Sequence, residues 1–418
     1  MGPALPLVLA VALGVDARIE AGIGAEAHAR VDPGASEDTQ SLDLTAVPHL
    51  ALTLKGAGTT FSAAYALRLT GSDVGPNVQY ETYQEGQLRL HVEPGTVWSL
   101  EGFASAGAGR TDLLTQARNP APGDGNNGAG TVGAGGTGNG TPITGAPRAP
   151  STIPTTQAFD QEYTRAGLGL RVAPDRRSEL VLSGAASTDG GTNAEARLLY
   201  PVAREEEAFA EYRWHATRRD ELRLRASAFR QRIAAIGTTS AWASALGIWS
   251  HQIAPDLELR AAAGGVALDS RFPITDSVQP GGFQETHQLA PAGELGLTRN
   301  GGRSALTSEL VGTFGGTVDR LTGLAWRQAV ARANLKWPVA LNTVVRAGVV
   351  GALSWPQTGW TRRGDMEMGL SYAFSSWALL DLGIYASWQS STYPPVPDLS
   401  EYGAVLTLSF DVDAPFAF

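Results

Sequence analysis

Apolar and polar residues alternate strictly along most of this chain. In residues 19–31 every second residue is Ile, Ala or Val, and the residues between them are charged, His or Gly. A period of two places successive side chains on opposite faces of a strand, so these 13 residues predict one strand with a wholly apolar face. Strands of soluble sheets are commonly about 5–6 residues long. The segment is therefore an unusually long amphipathic strand.

The alternation recurs along nearly the whole sequence. Further examples are residues 61–69, 88–92, 222–228, 257–263, 366–374 and 380–388. Predicted strands begin near residues 18, 42, 60, 78, 96, 159, 177, 205, 221, 239, 256, 285, 303, 320, 341, 362, 377 and 402. Apolar residues at sustained helical spacing are missing, so the sequence predicts an all-β protein of about 18 strands. Because residues 190–204 could hold further pairing, 16 strands is the alternative.

The connections between the predicted strands alternate in length. Short turns at 56–58, 93–95, 174–176 and 254–256 are followed by longer links, at 32–40, 71–77, 190–204, 270–285 and 391–400. Short periplasmic turns and long extracellular loops are the layout of an outer-membrane barrel. The sequence therefore predicts a transmembrane antiparallel β-barrel in a bacterial outer membrane.

A membrane barrel explains the low content of charged residues, and of lysine in particular, better than a soluble sheet does. A closed barrel satisfies every backbone hydrogen-bonding group in lipid, whereas a soluble sandwich or solenoid would carry charged, Lys-rich outer faces. Lysine occurs only at Lys55 and Lys336, and charged residues make up 17% of the chain. A large β-solenoid or sandwich is the soluble alternative.

The composition excludes several kinds of functional site and partner. The chain has no Cys, which excludes thiolate metal sites, disulfides and Cys nucleophiles, and its net charge of -9 argues against a nucleic-acid partner. The six His residues show neither helical pairing nor an HExxH motif, and no Ser, His and acid are grouped as a hydrolase would need. The sequence thus indicates no enzyme, no metal and no cofactor, and an outer-membrane enzyme stays only as an alternative.

Two segments stand apart from the predicted strands. Residues 1–17 read as a signal peptide with cleavage near 14–17, because an apolar stretch at 5–13 precedes small residues. Residues 1–4 carry no Lys or Arg, and a buried N-terminal helix or strand is the alternative. Residues 18–418 then form one barrel domain with a long Gly- and Pro-rich loop at 113–158. That loop projects outward or folds into the mouth as a constriction.

The last segment carries a resemblance. Its alternating apolar residues are Ala404, Leu406, Leu408, Phe410, Val412, Ala414, Phe416 and Phe418. A final strand of this kind resembles the terminal signal of bacterial outer-membrane proteins. That resemblance implies that Phe410, Phe416 and Phe418 form an assembly signal, with the barrel-assembly machinery and outer-membrane lipid as partners. Pro415 departs from the pattern at a strand end, where a missing N–H donor is tolerated.

Over the whole chain the architecture is similar to porin-like bacterial barrels, both the saccharide porins and the barrels of polysaccharide export systems. The second likeness implies a periplasmic polysaccharide export protein as a further partner. Barrels of 16–18 strands leave an aqueous bore. The resemblance implies a channel for polar solutes, specifically a conduit for saccharide or secreted polysaccharide. The alternatives are a general diffusion porin and a structural or surface-presented barrel.

Charged residues on the polar face are the candidate channel lining, because charge at a pore wall sets ion preference and contacts hydrated solutes. Their phase in the alternation selects Arg68, Arg89, Arg165, Arg171, Arg213, Arg223, Arg225, Arg260, Arg332, Arg346, Glu81, Glu101, Glu211, Glu258, Glu294, Glu309, Glu367 and Asp381. The competing interpretation is that these side chains pair across strands and stiffen the interior.

Overall fold

One sheet of 18 antiparallel strands closes into a barrel, because each strand pairs with its neighbours in the chain and the first pairs with the last. The computed structural model describes residues 16–32, 39–74, 77–111, 159–273, 282–301, 306–318, 323–355, 359–375, 377–392 and 398–416. The strands are β1 (Asp16–Asp32), β2 (Thr39–Gly56), β3 (Thr59–Val74), β4 (Asn77–Val92), β5 (Trp98–Thr111), β6 (Phe159–Val172), β7 (Ser178–Gly191), β8 (Ala203–His215), β9 (Asp220–Ile233), β10 (Thr238–Ala254), β11 (Leu257–Pro273), β12 (Phe283–Arg299), β13 (Thr307–Val318), β14 (Ala325–Ala340), β15 (Thr343–Trp355), β16 (Thr361–Ser375), β17 (Ala378–Ser391) and β18 (Leu399–Phe416). A short helix, α1 (Ala194–Leu199), lies between β7 and β8.

The prediction of an all-β transmembrane barrel with 18 strands is confirmed, and the alternative of 16 strands is wrong. Within 190–204, the ends of the range belong to β7 and β8 and the connection between them holds α1, so no extra pair of strands forms there. The predicted long link at 71–77 is also wrong, because β3 continues to Val74 and β4 starts at Asn77. Gly71, at the start of that predicted link, pairs with Tyr80 inside the β3–β4 ladder.

The two faces of the sheet differ in chemistry. Side chains of one phase are large, apolar and exposed, including Leu88, Leu168, Leu224, Leu295 and Met366. Side chains of the other phase include the buried polar residues Glu211, Arg225, Arg260, Gln328 and Ser354. Because a closed barrel has one outside, the exposed apolar face is the one that contacts membrane lipid.

Tryptophans lie on the outer face near strand ends. Trp98, Trp214, Trp337 and Trp388 each expose between 42% and 49% of their surface. Near the end of β10, the rings of Trp249 and His251 stack on each other. His251 Nδ1 lies 2.8 Å from Asp220 Oδ1 at the start of β9. Amphipathic rings favour the boundary between lipid and water, so these residues mark the edges of the apolar band.

The short turns lie at one rim of the barrel and the longer connections mostly at the other. Gly58 has φ +73, and a Cβ there would come within 2.4 Å of the Glu93 carbonyl oxygen in the adjacent turn. The Asp175 carboxylate accepts hydrogen bonds from the backbone N–H groups of Arg177 and Ser178. These bonds, first that from Arg177, hold the pKa of Asp175 below its ordinary value. Both turns therefore depend on residues that favour tight reversals.

Among the described residues, no helix has the length and apolar character needed to cross a membrane. The predicted loop 113–158 and most of the predicted signal peptide 1–17 lie outside the described residues. Of the residues predicted as a signal peptide, only Asp16 and Ala17 are described, and they begin β1. The side chains of Phe416 and Phe418 also lie outside the description, whereas Phe410 faces outward and stacks on Trp377 with ring centroids 6.1 Å apart.

Candidate functional site in the barrel lumen

All 18 residues predicted to line a channel fall in the inward phase of their strands. The cross-strand register brings several of them together: Glu211 is opposite Arg225, and Arg213 is opposite Arg223. The alternation therefore placed these side chains on the correct face of the wall. Whether a solute passes along them stays a prediction.

A network of opposite charges crosses the inner wall from β6 to β9. Glu179 accepts from Arg171 Nε at 3.1 Å and lies 3.6 Å from Arg213 Nη1. Glu211, which is fully buried, accepts from Arg213 and, at 2.7 Å, from Arg225 Nε. Each of these carboxylates therefore serves two guanidinium groups.

The network continues at both of its ends. Glu221 accepts from Arg223 and lies 3.0 Å from His215 Nδ1. Arg225 also interacts electrostatically with Glu294, which pairs with Arg260 on β11. The side chains of Arg260 and Glu294 expose only 6% and 2% of their surface. Charges desolvated to this extent are stable only as a connected set.

Inward charges on the opposite part of the wall are open to water. Arg332 Nη2 donates to Glu309 at 3.2 Å, and Arg346 pairs with Asp381. These side chains expose 26%, 23%, 48% and 23% of their surface in the order Arg332, Glu309, Arg346, Asp381. Side chains inside a closed barrel gain access to solvent only through its bore. The lumen therefore contains space for water beside these strands.

The remaining predicted residues occupy the same inner surface. Arg165 pairs with Glu207, and Glu81 accepts from Arg110 Nε at 2.9 Å. Glu101 interacts electrostatically with Arg89, and Arg68 is opposite Tyr83 across β3–β4. Two further carboxylates, Glu258 and Glu367, face inward without an ion pair to any described residue.

An apolar patch interrupts the polar inner wall. Leu246, Ile248, Val266 and Leu268 point inward on β10 and β11 and expose no more than 3% of their surface. They pack with Ala290, Ala292 and Ala325, and Trp242 and Val318 contact the same cluster. Apolar side chains on the inner face of a channel need a cover to exclude water, and the β13–β14 hairpin provides it.

The end of the β13–β14 hairpin folds into the lumen. Ala325 N donates to Ser270 Oγ of β11 at 2.8 Å, and Ser270 in turn accepts from Ser240 Oγ of β10. A Cβ on Gly323 would lie 2.9 Å from Thr238 Cγ2, and one on Gly316 would lie 2.3 Å from Leu268 Cδ2. The hairpin thus lies directly on the inner surface of β10 and β11 and narrows the bore.

The inward turn of the hairpin interrupts the wall. β12 pairs with β13 from Arg299↔Ser308 to Gly293↔Phe314 and no further. The rest of β12, back to Phe283, pairs with β11 alone among the described strands. Pro291 in this stretch has no N–H to leave unpaired.

The connection between β7 and β8 narrows the same rim. Asn193 caps α1 by accepting from Ala196 N at 2.8 Å. Tyr200 is buried, its hydroxyl donates to Asp189 Oδ2 at 2.7 Å, and its ring lies 5.1 Å from that of Phe159. The connection is therefore fixed against the ends of β6 and β7.

Comparisons with known proteins find distant likenesses to solved structures only. No family model matches the chain, and no curated protein matches it. Among solved structures, Pseudomonas aeruginosa OccK9 (OpdG) is similar to it at 14% identity. The match covers 95% of this chain and 98% of that one, with a TM-score of 0.47. The siderophore receptor PiuA from Acinetobacter baumannii matches at 7% identity over 94% and 82%, with a TM-score of 0.48. P. aeruginosa OccK2 (OpdF), solved in complex with glucuronate, matches at 10% identity over 94% and 98%, with a TM-score of 0.46.

Sequence identities of 7–14% with TM-scores below 0.5 do not indicate which solute this barrel would take. The closed barrel, its lipid-facing outer surface and its solvent-accessible inner charges define the class by themselves. The protein is a closed transmembrane β-barrel with a polar, solvent-accessible interior.

Several features of the lumen were missed from the sequence. Glu179, Glu207 and Glu221 are partners of predicted arginines, and their phase alone could have identified them. Trp249 faces outward, because the inward phase of β10 includes Ser250 and Ile248. The inner apolar patch has a sequence signal as well, since residues 241–249 are apolar or small on both faces of the strand.

No three His, Asp or Glu side chains within the described ranges come together as a metal site.

Proposed function

We propose that this barrel is a channel for small hydrated polar solutes, with saccharides as the solute class. The observation that carries the proposal is the solvent access of inward charges, above all Arg346, whose side chain is 48% exposed inside the closed wall. Guanidinium and carboxylate groups on a wet wall offer hydrogen bonds to the hydroxyl and acid groups of sugars.

The inner wall favours a small solute over a polymer. The β13–β14 hairpin and the connection containing α1 both occupy the rim that carries the longer connections. Tyr83, Phe103, Phe209 and Tyr385 face inward on separate strands and do not follow one another as a track. Export of a polysaccharide, with a periplasmic export protein as partner, is accordingly the weaker candidate. Assembly by the barrel-assembly machinery is a further proposal.

Single-channel recording tests the proposal. The refolded full chain is inserted into a planar bilayer, and a neutral maltooligosaccharide and an acidic oligogalacturonate are added in turn. We expect a steady open channel whose current these sugars block, and weaker block by the acidic sugar in Arg346→Gln. Arg218→Gln, which removes a charge from the β8–β9 turn, is the matched control. An open channel that neither sugar blocks would indicate a general diffusion porin instead.

A further inference from the structure

Three arginines face outward near the rim that carries the longer connections, where β8 and β9 meet. Arg204, Arg230 and Arg232 are exposed and lie in the phase of the lipid-facing residues Leu222 and Leu224. We call these three residues the outer arginine cluster. Arg271, also exposed and outward-facing, lies two strands away, with Thr239 between it and Arg232.

The facing pair Arg204 and Arg232 has no carboxylate directly opposite either arginine. Arg204 and Arg232 are directly opposite each other across β8–β9, and Glu206 is opposite Arg230. Among the described residues, no ion pair joins any of the three arginines to a carboxylate. The fourth arginine, Arg271, has a carboxylate 3.6 Å away in Glu285. Like charges directly opposite on a sheet repel, so the Arg204–Arg232 pair needs an anion from outside the chain.

The height of the cluster on the wall indicates which anion. Ten residues of β9 separate Leu222 from Arg232, which is about 33 Å along the strand and about 25 Å across the membrane at the usual tilt. That is the height of the apolar band, so the cluster lies at the level of lipid headgroups. Arginine binds phosphate through two parallel N–H donors, which is the geometry that two facing guanidinium groups can share.

The surface beside the cluster can accept acyl chains. Ala208, Ala226, Ala228, Ala243 and Ala245 are outward-facing and exposed on β8–β10, and Ala208 is opposite Ala228 while Ala226 is opposite Ala245. Leu168 on β6 and Leu289 on β12 expose 64% and 88% of their surface on either side. The alanines therefore form a shallow depression directly below the arginines.

We propose that the outer arginine cluster binds the phosphate of a membrane lipid, whose acyl chains lie over the adjoining alanines. The site is on the outer wall, separate from the lumen, and its ligand is a phosphorylated lipid rather than a transported solute. Binding would fix the barrel to an anionic lipid at this rim.

Native mass spectrometry of the full chain in detergent tests the proposal with dioleoyl phosphatidic acid and dioleoylglycerol, which differ only in the phosphate. We expect phosphatidic acid to bind and dioleoylglycerol not to bind. In Arg204→Gln/Arg232→Gln the affinity should fall by about thirtyfold, since each arginine near an anionic surface contributes roughly a fivefold factor. The control Arg218→Gln/Arg219→Gln removes the same charge from the opposite end of the hairpin and should bind as the native chain does.

A second variant tests the acyl-chain surface without changing charge. Ala226→Leu/Ala243→Leu fills the depression and should also weaken phosphatidic acid binding. Inorganic phosphate at millimolar concentration should compete poorly, because it lacks the chains. Equal binding of both lipids, native affinity in Arg204→Gln/Arg232→Gln, or full competition by inorganic phosphate would each overturn the proposal. So would a loss of oligomers in Ala226→Leu/Ala243→Leu with lipid binding unchanged, since the alanine face would then be a protein contact.

Discussion

At the scale of single residues, the interior of this barrel depends on carboxylates that each neutralise more than one arginine. Glu211 is fully buried between Arg213 and Arg225, and Glu179 lies between Arg171 and Arg213. Removing one member of such a set leaves the others charged and desolvated, which costs more than the pair itself contributes. The network is therefore both a structural support and the source of the local field in the lumen.

Glu211→Gln should destabilise the folded barrel strongly. The substitution leaves Arg213 and Arg225 facing a neutral amide, and we expect a loss of about 3 kcal/mol or more in the free energy of unfolding. Urea titration, followed by the gel shift between folded and unfolded barrel, measures it. Glu162→Gln, which removes an exposed, outward-facing carboxylate, is the control and should change the value by about 0.5 kcal/mol or less. Equal free energies of unfolding for the two variants would contradict the prediction, because they would show that the barrel does not need the Glu211 carboxylate for stability.

The sequence predicts which face of the sheet these residues occupy, but it does not predict their ion-pair partners. A period of two assigns Arg213, Arg225 and Glu211 to one face whatever the register. Which residues pair depends also on register and on the reach of each side chain. Arg213 of β8, for example, contacts Glu211 on its own strand and Glu179 on the neighbouring strand β7. The phase of Glu179 was therefore readable from the sequence, but its pairing with Arg171 and Arg213 was not.

At the scale of elements, the β13–β14 hairpin departs from the regular wall. Val318 and Ala325, near the end of the hairpin, pack against Leu246, Ile248 and Leu268, which would otherwise face the aqueous lumen. Strand periodicity correctly predicted two strands here, but it could not predict that they bend inward. That outcome depends on contacts between β13 and β11, far apart in sequence, such as Gly316 against Leu268.

Gly316→Leu should displace the hairpin from the inner wall. A Cβ added at this position would lie 2.3 Å from Leu268 Cδ2, so a larger side chain forces the two apart at a cost of about 1–3 kcal/mol. We expect a smaller single-channel conductance, because the hairpin moves away from the wall and further into the bore. Gly315→Ala is the control, since a Cβ there meets nothing within 4 Å. A conductance that is the same for Gly316→Leu and the native chain would mean that the hairpin does not limit the current.

At the scale of the whole molecule, closure of β1 on β18 explains how a chain with this alternation satisfies its backbone in lipid. The strand count and the membrane class follow from the period and the turn spacing, which are local properties. The solute does not follow from them, because it depends on how connections and side chains share the bore.

The long loop at 113–158 carries a separate prediction. If it acts as a constriction, deletion of residues 118–154 should raise the conductance of the refolded barrel. Recording the deletion variant beside the native chain, with the folded fraction checked by gel shift, measures the change. An unchanged conductance would rule out this role and would leave the β13–β14 hairpin as the narrowing element.

The central claim is that the lumen is an open, charged, aqueous path. Single-channel current of the native barrel in a salt gradient tests it most directly, because it measures both opening and charge selectivity. We predict a steady current, with the reversal potential of Arg346→Gln shifted toward cation selectivity through loss of a solvent-exposed positive charge. The absence of current from protein shown to be folded and inserted would contradict the claim.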